Sequence, residues 1–334
     1  MLQLRNHTRF AASMALFPNE EAVDTLYVMV KAGFTMGKAF TLADEQTPPI
    51  ESDVYWTEPG KSSIKYASDM HIGKPATDII MLGHACAPEQ KEVHQLDVGL
   101  SVGKISKTVR VFGDRQWKAG CITPPQSFKT MALVYENAYG GIHIADGKLV
   151  GAETRNPVGR GFAGHRKRAE MNGESLPNLE DPQQLIHEPT DQPTPACFGF
   201  CAPNWQPRIA YAGTYDEAWQ KARTPYLPLD FDKRFLNMAH PELIYPGYLQ
   251  GDEPVAITHM HPGGELRFDL PRIKLVTRVA VAGRVEERDL LLETLILEPN
   301  QLKLSMVWRA AVACDKQALK ISEVKIGISR QDIE

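Results

Sequence analysis

Residues 156–162, NPVGRGF, open the stretch that decides how this chain is read. It continues through SLPNLEDP (175–182) and FGFCAPNWQPRIAYAGTYDEAW (198–219) to PYLPLDFDKRF (225–235). The stretch is dense in Gly, Pro, Asn, Asp and aromatic residues and has no sustained apolar period. A flexible linker would be rich in Gly and Ser and would lack Trp205, Tyr211, Tyr215, Trp219, Tyr226, Phe231 and Phe235, because aromatics of this size need burial or a partner. The expected conformation is therefore irregular but specified. On either side of it the sequence alternates as β-strands do.

Upstream, Leu26, Val28 and Val30 alternate with Tyr27, Met29 and Lys31. Residues 78–83, DIIMLG, form a short apolar run that predicts a buried strand. Leu96, Val98, Leu100 and Val102, then Gly103-Lys104, then Val109 and Val111, predict a long hairpin. Downstream, Leu266, Phe268 and Leu270, then Ile273 to Val281, Leu302 to Trp308, and Val324 to Ile328 alternate again. One polar and one apolar face per strand suit antiparallel sheets covered on one side. The expected fold is mainly β with a few short helices: antiparallel, sandwich-like sheets in two halves joined by the irregular segment. The parts are residues 1–150, 151–250 and 251–330, which can pack as one compact unit. Within the middle part, Thr214 and Glu217 form a capping-box pattern for a short helix that Pro225 stops. A second helix is expected over residues 231–238, with Phe231 and Phe235 on one face, and a glycine-closed turn over 135–141.

With 334 residues, 43% hydrophobic and 23% charged, the composition is that of a globular protein. A net charge of −4 argues against nucleic acid and anionic membranes as partners, and the basic run His165 to Arg168 reads as a solvated loop tip. No run approaches the roughly 18 apolar residues of a membrane span, and the N-terminus has no secretory pattern, so a cytoplasmic location is expected. Five scattered cysteines fit a reducing compartment.

No catalytic signature is present: no nucleophile elbow, no phosphate-binding loop, and Gly159-Arg160-Gly161 reads as a tight turn. Cys197 and Cys201 lack the second half of a zinc site, and His259 with His261 fits a turn better than a metal centre, so neither metal nor cofactor is expected. Glu136, Asp216 and Asp252 leave open a sugar-cleaving or sugar-binding β-sandwich, which would need two carboxyls flanking one bond. The aromatic set has two readings, core packing or a partner groove. For the second, Trp205, Arg208, Tyr215 and Trp219 are the candidate contacts, because Trp, Tyr and Arg are enriched at binding hot spots.

Several motifs in order carry a resemblance: KPATD (74–78), VFGDRQW (111–117), YENAYGG (135–141), NPVGRGF (156–162), LPNLE (176–180), WQPR (205–208), GTYD (213–216), LPLDFD (227–232), and finally GDE (251–253) and Trp308-Arg309. Over about residues 1–310 the chain resembles a bacterial family first catalogued as a domain of unknown function and found in type VI secretion gene clusters. The resemblance implies a non-enzymatic adaptor or chaperone. Such a protein binds a secreted effector, often one with a spike-tip domain, and helps load it onto the trimeric spike. It implies no catalytic residues. Asp114, Arg115, Trp117, Asn156, Gly159, Thr214, Asp216 and Asp230 are expected to serve as turns, caps and close backbone approaches.

Overall fold

The computed structural model describes residues 3–37 and 40–332. Its main strands are β1 (Gln3–Asn6), β2 (Ala11–Pro18), β3 (Asp24–Thr35), β4 (Asp78–Met81), β5 (Gln95–Val102), β6 (Ile105–Phe112), β7 (Pro254–Thr258), β8 (Leu266–Asp269), β9 (Arg272–Val281), β10 (Arg284–Asp289), β11 (Leu291–Glu298), β12 (Lys303–Ala313) and β13 (Ile321–Asp332). The protein is mainly β, as its alternation predicts.

Three sheets carry the architecture. The central sheet has the order β2-β3-β12-β11-β4, with a short strand at Thr41–Leu42 beside β3. A second sheet runs from a short strand at Leu179–Glu180 through β6-β5-β7-β8, and a third is β1-β13-β9-β10. Strands distant in sequence pair in every sheet. Eleven residues of β12 run antiparallel to β3, from Lys303 opposite Thr35 to Ala313 opposite Thr25, and β4 lies parallel to β11. The predicted hairpin is β5-β6, with Val102 opposite Ile105.

The two outer sheets follow the one-sided rule. In β9, Ile273, Leu275, Val279 and Val281 are buried while Lys274 and Arg278 are exposed. The central sheet does not, which corrects the expectation that each sheet has a polar face. Leu26, Val28, Val30, Ala32 and Phe34 join the inward residues of both outer sheets in one continuous core. Yet Tyr27, Met29 and Lys31, on the opposite face of β3, are buried as well. The irregular segments cover that second face: Tyr27 packs with Ile72 and Leu236, flanked by Leu227, Phe231 and Phe235.

Beneath this cover lies a buried charge network. Glu293 receives Arg309 Nε at 2.7 Å and the Lys74 backbone N–H at 2.9 Å. The ammonium of Lys74 reaches Asp78 at 2.7 Å and donates to Thr294 Oγ1 at 2.7 Å. Asp78 in turn accepts from Asn237 Nδ2 at 2.8 Å and from the Met238 N–H at 2.7 Å. Arg309 also donates to the carbonyl of Asp69 and faces His71 Nε2 at 3.2 Å. Burial, followed by the nearby Arg309 and Lys74, pushes His71 well below its ordinary pKa, so it stays neutral. Burial pushes Glu293 upward, and Arg309 opposes that shift. The motif at 74–78 is therefore the strap that fastens the irregular cover to the central sheet.

A second tie joins the turns at one end of the sheet. The Asn300 side chain donates to the carbonyls of His84 (3.0 Å) and Met260 (2.7 Å) and accepts the His84 N–H (2.8 Å). It can do so only because residue 83 is glycine, where a Cβ would lie 1.9 Å from Asn300 Oδ1.

Removing one charge from the buried pair leaves the other unpaired in a dry site. Arg309→Met is expected to lower the urea-unfolding free energy by about 3–5 kcal/mol. The double variant Glu293→Leu/Arg309→Met should recover more than half of that loss. Equal losses for the single and double variants would show that charge pairing is not what the site needs.

Candidate functional site

The irregular segment enters the core at residues 196–202. Phe198 and Phe200 are buried, the Met81 N–H bonds the Phe198 carbonyl at 3.1 Å, and the Cys201 N–H bonds the Met238 carbonyl at 2.7 Å. Trp205 is 3% exposed and packs edge-on against Tyr135, with ring centroids 5.2 Å apart. Arg208 is 6% exposed and donates to the carbonyls of Cys201 and Phe235. In this fold neither residue is open to a partner; both support the segment from below.

The chain then surfaces. Ile209, Tyr215, Tyr226 and Leu229 are exposed, Leu229 by 87%. Trp219 is half-buried; its Nε1 donates to the Tyr226 carbonyl at 2.8 Å, and its ring lies 4.7 Å from that of Tyr215. Tyr215 against Trp219, with the exposed Ile209, Tyr226 and Leu229 of the same stretch, are the large apolar side chains this loop leaves accessible, and together they are called its platform. Helix α1 (Glu217–Ala222) is capped by Asp216, whose carboxylate accepts the Trp219 N–H at 2.8 Å. The cap is thus Asp216 and not the expected Thr214. Thr214 is held by Asp230, which accepts its N–H at 3.0 Å and its hydroxyl at 2.7 Å, and these two bonds draw the Asp230 carboxyl below its ordinary pKa. The second helix expected over 231–238 is one 3-10 turn, Lys233–Leu236, opened by Asp232 accepting the Arg234 N–H. Its Phe231 and Phe235 rings do meet, 5.9 Å apart. The Arg234 guanidinium lies over the Tyr211 ring at 4.3 Å.

A second knot gathers the remaining motif residues. Arg115 pairs with Glu180, both buried, donates to the Pro177 carbonyl at 2.8 Å, and stacks on Phe112. Asp114 accepts from Asn178 Nδ2 at 2.9 Å. Trp117 packs with Tyr139, Met171, Leu176 and Ile186. The amide of Asn156 donates to the carbonyls of Tyr135 (2.7 Å) and Tyr139 (2.9 Å), and a Cβ at Gly159 would sit 2.4 Å from that amide nitrogen. Of the basic run, Arg166 is tied to the carbonyls of Phe162 and Ala163, while His165, Lys167 and Arg168 are exposed. From this knot projects a hairpin, Ile142–Ala145 with Lys148–Ala152, whose Ile142, Ile144, Leu149 and Val150 are exposed. Sequence reading missed it, although Asp146-Gly147 between apolar residues is a strong hairpin signal.

The carboxylates that a sugar-cleaving site would need are engaged elsewhere. Glu136 accepts from the Ser63 N–H and hydroxyl, Asp216 caps α1, and Asp252 pairs with Arg272 at 2.8 Å. The thiols of Cys197 and Cys201 are buried, and burial raises both, Cys197 to about 12. His259 Nδ1 lies 2.7 Å from the Asp97 carbonyl, and His261 Nδ1 accepts the Gly263 N–H. Among the described residues no helix is long and apolar enough to cross a membrane.

Residues 21–309 match the bacterial family described as an uncharacterized protein conserved in bacteria, DUF2169. No curated protein and no solved structure matches the chain.

The segment also carries a titrating group. His240 is 4% exposed, and burial, with Lys107 nearby, pushes its pKa down to about 3. Its neutral form is favoured in the fold, so it contributes stability above the usual value near 6.5, and that contribution fades as pH falls from 6.5 toward 3. Between pH 6.5 and 4.5 the wild type should lose about 1.4 kcal/mol per pH unit more than His240→Gln, read from urea denaturation at each pH. Parallel profiles would remove His240 as the cause.

Proposed function

This chain belongs to that bacterial family, and we propose that it is an adaptor that binds a type VI secretion effector and helps load it onto the secretion spike. The observation that carries this reading is the platform of Ile209, Tyr215, Trp219, Tyr226 and Leu229. Large apolar side chains are held outward by a loop whose own caps and side-chain bonds keep it in one shape. Rigid aromatic anchors of this kind dominate binding energy, and an ordered loop loses little entropy when a partner docks. The ordered motifs that resemble the type VI adaptor family point the same way: GTYD and LPLDFD are the segments that build this loop.

The mechanism is reversible protein binding. The adaptor covers an apolar segment of the effector, keeps it from aggregating, and releases it when the effector docks on the spike. A stable complex of standard size would bury about 1,200–2,000 Å² in total, with the platform at its centre.

Co-expression with the product of an adjacent effector-like gene, followed by affinity capture and size-exclusion chromatography, tests the reading. A co-eluting complex is expected. Leu229→Asp and Tyr215→Ala should each weaken it by about 2 kcal/mol with unchanged thermal stability. Trp205→Ala should instead lower folding stability by about 3–5 kcal/mol, because it empties a core site. Platform variants that bind as the wild type does would overturn the assignment of the surface, and an effector that never co-elutes would overturn the adaptor reading.

A further inference from the structure

Near Gly33 the cover of the central sheet's second face stands away from the strands. Ile296, Ser305 and Gly33 lie side by side across β11, β12 and β3. Two of these three residues are small, so the sheet floor is low there. A Cβ on Gly33 would come no closer than 3.7 Å to its nearest neighbour, Ala43. The result is a hollow of about 430 Å³, within the range of small-molecule sites. Its walls are largely apolar: Ala43, Pro48, Pro49, Ile50 and Leu304.

The wall facing the sheet is fixed before any ligand arrives. The Gln46 side chain bonds both the N–H of Gly33 (2.8 Å) and its carbonyl (2.9 Å). At the other end the Ile50 N–H donates to Asp69 at 2.8 Å, and the Asp69 N–H returns to the Ile50 carbonyl at 2.7 Å.

One buried charge lines the hollow. The Lys31 side chain is only 6% exposed. Its nearest carboxylate oxygen, Asp69 Oδ2, is 3.8 Å away and already accepts the Ile50 N–H. Lys31 and Asp69 thus make an ion pair that stays longer than a hydrogen bond. An acceptor oxygen delivered by a ligand can therefore make the shorter, charge-assisted bond to the ammonium that Asp69 does not. At the far end, one oxygen of Glu298 is held by the Tyr66 hydroxyl at 2.7 Å. Glu45 and Lys303, at the rim, are exposed and opposite in charge.

We infer that the hollow binds a small monocarboxylate with a compact apolar body, its carboxylate on Lys31 and its body between the proline wall and the Gly33–Ser305 floor. This site is independent of the adaptor surface, since it faces the loop at 43–50 and not the platform at 209–229.

Titration calorimetry of the full chain with 4-methylpentanoate, and with 4-methylpentanamide as the uncharged control, tests the inference. Saturable binding of the acid is expected, with the amide about tenfold weaker or worse, since a hydrogen bond between charged partners is lost. Lys31→Met should weaken the acid by about the same factor. Ser305→Leu keeps the lysine but fills the floor, and should abolish binding while the protein still unfolds cooperatively. It carries the test if Lys31→Met does not fold. Equal affinity for acid and amide, binding untouched by Ser305→Leu, or no saturation of the wild type by about 10 mM acid would each overturn the inference.

Discussion

The structure depends on a buried, charge-balanced cluster on the covered face of the central sheet. Lys31, Lys74 and Arg309 lie there with Asp69, Asp78 and Glu293. Such a cluster is stable only when every charge keeps a partner, because desolvating an ion is far more costly than a single contact can offset. That requirement ties together parts of the chain far apart in sequence. Arg309 comes from β12, Glu293 from β11, Asp78 from β4, Lys74 from the strap, and Asp69 from the loop that precedes it. The network sets the position of the strap, and through Asn237 and Met238 it sets the end of the irregular segment.

From this anchoring follows the behaviour of the surface loop. Residues 205–208 are held down by Trp205 in the core and by Arg208 on two carbonyls; residues 233–238 are held down by Leu236 and by Asp78. Between these two fixed points the chain must loop outward. Local bonds from Asp216, Asp230 and Asp232 give the excursion its shape. Their physical role is to satisfy backbone donors that neither a sheet nor a long helix satisfies here. Leu227 and Phe231 of the excursion pack back against the Tyr27 cluster, whereas Ile209, Tyr215, Tyr226 and Leu229 are left exposed.

Much of this was legible. The alternation in β5, β6 and β9 predicts both their strands and their buried faces, since each lies in a sheet covered on one side. The aromatic density of residues 198–235 predicts order without regular structure. The exchange of Thr214 for Asp216 as the cap was less legible, because both side chains can cap and only the fold places Asp230 beside Thr214. The division of the aromatic set was not legible at all. Neither Trp205, between Pro203 and Pro207, nor Trp219, on the short helix, carries a local signal of burial, and whether each packs inward depends on which remote residues lie beneath it.

Periodicity and turn chemistry in the sequence determined the mainly β class, the position of the hairpin β5-β6, and the irregular character of the middle segment, because these follow from local backbone preference and side-chain alternation. Tertiary structure alone decided that β3 is buried on both faces, that Lys74 and Arg309 meet over Glu293, and that a platform and a hollow lie where they do. These depend on pairings between residues far apart in sequence, such as Lys74 with Glu293, Gly33 with Ser305 and Asp78 with Met238. No local pattern encodes the chain closure that brings them together.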